Sequence, residues 1–176
     1  MENKLGNGQP VIGCYNEIVN DIDNSELTSA ITADKKNKIL EWTIAYLQNN
    51  HRNEEVLKDI HKRTIIKTLL VEYPLNLLAR IMGPQNGEAS PEPLPMWLAT
   101  VTVIQNEIKN HHMPPPIIAT DFWEKLYIVD GNHRHEALLK SGVTTYWTIF
   151  LLEKGDSEKK IYDSLVEKTS QESSLS

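Results

Sequence analysis

Lys125-Leu126-Tyr127-Ile128-Val129-Asp130-Gly131-Asn132-His133-Arg134-His135-Glu136-Ala137-Leu138-Leu139-Lys140-Ser141-Gly142 decides how this chain is read. The stretch has the form of a strand, a tight turn and a helix. Leu126 to Val129 is a short apolar run of the kind a buried strand uses. Gly131 can adopt the positive φ that a sharp turn requires. Asn132 has the side chain of an N-cap, and Gly142 stands where a helix C-terminus favours a left-handed residue. The first turn of the helix carries His133, Arg134 and His135. A helix N-terminus already bears about half a positive charge, and a cation there costs about 0.3–1 kcal/mol. Unpaired N–H groups beside an arginine do suit an anion, so Gly131, Asn132, His133 and Arg134 are candidate phosphate ligands. A plain structural turn fits the same residues: Asn132 as a cap, Arg134 paired with Asp130 or Glu136, and the histidines on the surface.

Working outward, Pro116 to Thr120 reads as the preceding strand and Thr144 to Leu152 as the following one. Thr64 to Val71, rich in Ile, Leu, Thr and Val, reads as an opening strand. Leu75 to Met82 reads as a short helix or an apolar loop. Residues 83–95, with Pro84, Pro91, Pro93 and Pro95, read as a loop; it is expected near the 131–134 turn, with Trp97 at its exit. Over 96–110, Trp97, Val101, Ile104 and Ile108 share one helical face. Before the sheet, Thr32 is placed to cap a helix over 33–48, with Leu40, Ile44 and Leu47 on one face and Trp42 and Tyr46 widening it. Asn53 is placed to cap a second helix over 54–63, giving an αα-hairpin that packs on the domain C-terminal to it. A last helix is expected over 157–168, then a disordered Ser-rich tail over 169–176. Val11 to Val19 reads as a short strand or a loose segment. The fold class is α/β (α+β): a small mixed sheet with helical extensions at each end. The domain division is 1–63, 64–152 and 153–176.

Val129-Asp130-Gly131-Asn132-His133-Arg134-His135-Glu136-Ala137-Leu138 resembles the signature turn of the ParB/sulfiredoxin superfamily. Met113-Pro114-Pro115-Pro116-Ile117-Ile118-Ala119 resembles that family's Pro-rich strand, Gly142-Val143 with Tyr146-Trp147-Thr148-Ile149 its closing strand, and Leu70-Val71-Glu72-Tyr73-Pro74-Leu75 its opening strand. The likeness covers about residues 64–152. It implies a ParB/sulfiredoxin-type core whose turn holds nucleotide phosphates, as in sulfiredoxins, CTP-hydrolysing ParB proteins and a free-serine kinase. Carried onto this chain, it makes Gly131 the point of backbone approach and Asn132, His133 and Arg134 the donors, with Arg134 expected to bind phosphate oxygens in a fork. Asp130 is expected to orient Arg134 or to hold Mg through water, and Glu72 is a candidate carboxylate base or metal ligand. The implied cofactor is ATP, ADP or CTP, with Mg. Asn132 stands where sulfiredoxins need a nucleophilic cysteine, so sulfinic-acid reduction is not expected.

The whole chain bounds these readings. Its 176 residues suit one ordinary domain with a core. A net charge of −6 argues against a broad nucleic-acid face. Residues 153–176 are too short for the helix-turn-helix domain that ParB proteins carry, so sequence-specific DNA binding is not expected. Cys14, the single cysteine, precludes an intrachain disulfide; a reducing cytoplasm fits. No apolar run reaches the ~18–20 residues of a membrane span, and residues 1–10 lack the apolar centre of a signal peptide. His111-His112 ends a helix and is a poor metal pair, because adjacent helical side chains diverge. Three classes remain. One is a nucleotide-dependent phosphotransferase or hydrolase. Another is a non-catalytic module that binds a nucleotide or phosphorylated small molecule, and a protein partner through its helical extensions. The third is a ParB-like partitioning or nuclease-like protein.

Overall fold

Five short apolar runs pair into one sheet, and helices cover both of its faces. The protein's structure, a computed structural model, describes residues 25–49, 54–62, 65–84, 90–122, 125–153 and 158–173. Three helices come first: α1 (Ser25–Lys35), α2 (Ile39–Asn49) and α3 (Glu54–Lys62). The strands β1 (Ile65–Pro74) and β2 (Leu78–Arg80) follow, then the two-residue strands β3 (Met82–Gly83) and β4 (Ser90–Pro91). The chain continues through α4 (Leu94–Lys109), β5 (Ile117–Phe122), β6 (Lys125–Asp130), α5 (Asn132–Lys140), β7 (Thr145–Glu153) and α6 (Glu158–Ser173). The main sheet runs β1-β7-β5-β6-β2, and β3 pairs with β4 separately. β1 is antiparallel to β7 and β5 to β6, while β7 runs parallel to β5 and β2 to β6. This is the mixed α/β sheet expected from the sequence.

Side chains alternate across a strand, and here both alternating sets are apolar. Ile117, Ala119, Phe150 and Leu152 pack on one face with Leu138 of α5 and Ile161 of α6. Ile118, Ile149, Leu151 and Leu70 pack on the other with Ala30, Ile39, Tyr46, Leu47 and Ile60 of α1–α3. The strands therefore read as continuous apolar runs rather than as alternations. Helix α4 lies against α5 through Trp97, Val101 and Ala137. The helical hairpin does pack on the sheet, as its apolar faces imply.

Several boundaries differ from the sequence reading. The helix expected over 33–48 is two helices. Asn37 takes a left-handed φ of 55°, Lys38 N–H reaches Ala33 O and Asn37 N–H reaches Asp34 O, which is the Schellman way of ending a helix. Thr32 lies inside α1, its hydroxyl donating to Thr28 O, and caps nothing. His111 (φ 65°) and Gly142 (φ 81°) end α4 and α5 in the same way, so His111 serves as a cap. Leu75–Leu77 is a single 3-10 turn, and β2 follows where a helix or loop was expected. Three residues carry no periodic signal; pairing with β6 makes the strand. The loop 83–95 is narrower than expected, since β3, β4 and the start of α4 fall within it. Helix α6 runs on to Ser173, through residues expected to be disordered; serine costs a helix only a few tenths of a kcal/mol relative to alanine. Val11–Val19 and Asn53 lie outside the described residues.

Leu47 is fully buried in the layer that α2 presses on the sheet. Leu47→Ala is expected to lower unfolding free energy by about 2–5 kcal/mol, read by urea denaturation with β-sheet circular dichroism. A sheet transition that does not move would show the helical layer to be an independent appendage.

Candidate functional site

Asp130 closes β6 and Asn132 opens α5, so Gly131 must turn the chain within one residue. It does so at φ 98°, ψ 22°, a left-handed conformation that glycine adopts without steric cost. A second constraint falls on the same residue. A Cβ at position 131 would lie 2.8 Å from Arg134 Nη2 and 3.0 Å from its Nε. Glycine is required by the backbone angle and by the guanidinium packed against it.

That guanidinium faces inward. Arg134 is 5% exposed. Its Nη1 donates to the Tyr46 hydroxyl at 2.9 Å, and its Nη2 donates to Pro116 O at 3.1 Å and to Asp130 Oδ2 at 2.5 Å. Nε is buried without a hydrogen-bond partner. Burial opposes the charge, but Asp130 and Tyr46 outweigh it and hold the arginine above its ordinary pKa. The pairing of Arg134 with Asp130, one of the two alternatives open in the sequence, is what the structure contains. The fork expected to point at a ligand instead ties β6, the segment before β5, and α2 together.

Asn132 also departs from expectation. The N-cap position is Gly131, and no side chain caps the helix. Asn132 is the first residue of α5 and is buried. Its Oδ1 accepts from Ile81 N–H (3.1 Å) and Met82 N–H (3.3 Å), and its Nδ2 donates to Ile128 O (3.4 Å). One amide, with a donor and an acceptor at its tip, joins the chain leaving β2 to β6. The first bonded N–H at this end is that of His135, to Gly131 O at 2.9 Å. The N–H groups of Asn132, His133 and Arg134 precede it and have no intrahelical acceptor.

Around this helix end partly exposed polar side chains pack on a buried indole. His133 Nε2 lies 2.9 Å from Glu92 Oε2, and its ring centroid is 4.2 Å from that of Trp97. Arg80, the last residue of β2, sets its guanidinium over the same indole at 5.3 Å, a cation–π distance, and is paired with Glu136. The end of the Pro-rich loop and Trp97 do reach the turn, as the sequence suggested. His135 turns away: its ring Nε2 is 2.7 Å from Leu75 O, its Nδ1 is buried without a hydrogen-bond partner, and burial holds its pKa below the ordinary value.

Glu72 is not part of this group. It lies on β1 opposite Trp147, with β7 and β5 between its strand and β6; strands spaced about 4.8 Å apart put it roughly 14 Å away. Burial raises its pKa. Asp130 is committed to Arg134, and among the described residues no three His, Cys, Asp or Glu side chains gather to hold a metal. Three residues escaped the sequence reading. Glu92 and Arg80 had no motif around them, and Tyr46 read only as part of an apolar helical face.

No family model matches this sequence, and neither does any curated protein. Solved structures similar to it include sulfiredoxin from Arabidopsis thaliana (23% identical over 47% of this chain and 83% of that one, TM-score 0.34). They also include C-terminally truncated SbnI from Staphylococcus aureus (18%, 48% of this chain and 31% of that one, TM-score 0.37). A third is the C-terminally truncated chromosome-partitioning protein ParB from Caulobacter crescentus, complexed with CTP-gamma-S (19%, 57% of this chain and 52% of that one, TM-score 0.36). The matches span less than two thirds of the SbnI and ParB chains. No helix among the described residues is long and apolar enough to cross a membrane.

Gly131→Ala is expected to cost about 1–3 kcal/mol from its backbone angle alone, with the displaced guanidinium adding to that. An unchanged urea midpoint would contradict the packing described. His135 supplies a pH dependence. Its folded pKa lies below the unfolded value, so the unfolded chain takes up the proton first, and stability is lost as pH falls through about 6.5. The stability difference between pH 7.5 and 5.5 is expected to shrink in His135→Gln; an equal drop in both proteins would place its origin elsewhere.

Proposed function

We propose that the turn 131–134, with Arg80 and His133 beside it, binds the phosphates of a nucleotide: ATP, ADP or CTP, with magnesium carried on the phosphates. The observation that carries this reading is the convergence of Arg80 and His133 on Trp97 at a helix end whose first N–H groups have no intrahelical acceptor. Main-chain N–H groups of Asn132, His133 and Arg134 and the side chains of His133 and Arg80 are the contacts. Gly131 lets the ligand come close to the backbone, and Arg134 with Asp130 holds the turn from beneath. The choice of nucleotides follows the sequence resemblance of the turn. Glu92 is the carboxylate at hand for proton transfer or for a magnesium-bound water, in place of Glu72. The single cysteine fits a cytoplasmic setting.

A thermal-shift screen of ATP, ADP and CTP, each with and without magnesium, tests this reading, since a ligand at 100 times its dissociation constant stabilises by ~2.7 kcal/mol. Arg80→Gln is expected to weaken the bound nucleotide about tenfold, because a charged hydrogen bond contributes about 1.5–3 kcal/mol. No shift with any of the three would refute the reading. Release of phosphate or transfer to an acceptor separates a nucleotide-dependent phosphotransferase or hydrolase from a module that only binds.

A further inference from the structure

Helix α2 belongs to the layer that covers the far face of the sheet, yet one of its side chains ends at the turn. Tyr46 is buried, and its hydroxyl accepts from Arg134 Nη1 at 2.9 Å. The guanidinium carbon also lies 5.9 Å from the Tyr46 ring centroid. Tyr46 is held in turn: Trp42 stacks on it with centroids 5.0 Å apart and planes 8° from parallel, and Trp42 Nε1 donates to Ser29 Oγ at 2.7 Å. A continuous line of contacts therefore runs from α1 through Trp42, Tyr46 and Arg134 to Gly131.

We propose that Tyr46 is a positioning residue for the phosphate turn, so that the N-terminal helices form part of the ligand site as well as a cover for the sheet. This rests on the phosphate reading given above. Tyr46, Asp130 and the Pro116 carbonyl hold the guanidinium from three directions. The position that a Cβ of residue 131 would take lies only 2.8 Å from Nη2. The guanidinium thus fills the space a side chain at 131 would take, and it is the packing beneath the Gly131 backbone and the N–H groups that follow it. Phenylalanine at position 46 keeps the ring, its stacking on Trp42 and its contact with the guanidinium face, and removes only the oxygen.

The test is titration calorimetry of ATP, ADP and CTP with magnesium against the wild-type protein, Tyr46→Phe and Tyr73→Phe. Tyr73 is the control: it is also buried, and its hydroxyl bonds Ser164 Oγ at 2.8 Å on the opposite face of the sheet. Tyr46→Phe is expected to weaken the nucleotide that the wild type binds by about tenfold, and Tyr73→Phe to leave it unchanged. Unchanged affinity in Tyr46→Phe, or an equal loss in both variants, overturns the positioning role while the site reading stands. A wild-type protein that binds none of the three overturns the site reading itself, and the role of Tyr46 with it. Hydrogen exchange on the wild type needs no variant to fold. Nucleotide is expected to slow exchange in α2 and leave α6 unchanged, and an unchanged α2 overturns the proposal.

Discussion

The buried guanidinium of Arg134 is the constraint on which the rest of the site depends. Taking a charge out of water costs several kcal/mol even after relaxation, and pairing recovers that only when the geometry is good. Here Asp130, Pro116 and Tyr46 supply the recovery, and they come from three different parts of the fold. A buried pair of this kind adds little net stability, but removing one partner costs about 3–5 kcal/mol because the other charge is left uncompensated. Arg134→Ala would strip Asp130 of this partner and so disturbs folding and turn together.

Charge compensation also explains how an acidic chain is compatible with the proposed anion site. Each cationic group at the end of α5 faces a carboxylate: Arg134 with Asp130, Arg80 with Glu136, and His133, when protonated, with Glu92. The cluster is close to electrically balanced before any ligand arrives. A phosphate must then compete with Glu92 for His133 and with Glu136 for Arg80. The net charge of −6 and the proposed anion site are compatible because the compensation is arranged residue by residue.

The strand, turn and helix of residues 125–142 were legible because each carries a local signal: a β-branched run, a glycine at the bend, a glycine at the helix end. The mixed sheet followed from them. What escaped depends on tertiary contact. β2 is three residues long and exists through its pairing with β6. The Asn37 bend that splits the first long helix looks, in sequence, like a polar surface position. Asn132 reads as a cap because Asn at that place usually caps; its amide is drawn away by two N–H groups at Ile81 and Met82, about fifty residues earlier. Arg134 reads as a ligand for the same reason, since nothing local announces that Tyr46 lies above it. Arg80 and Glu92 belong to the site through partners at Glu136 and His133, and no spacing within their own segments marks them.

The pairing of β1 with β7 has a consequence for how the molecule is made. Among the described residues, β1 pairs with β7 alone, the last strand in sequence, with Leu70 opposite Ile149, and Tyr46 meets Arg134 across 88 residues. Contacts so distant along the chain bear the entropy of closing a long loop before they contribute anything. During synthesis α1–α3 and β1 emerge without the surfaces they will cover, and the apolar edge of β1 waits for β7. The turn at 131–134, which leans on both halves, is therefore among the last parts of the molecule to be completed. A chain arrested before β7 would display β1 as an open strand, the condition under which chaperones are needed and strands pair with the wrong neighbour.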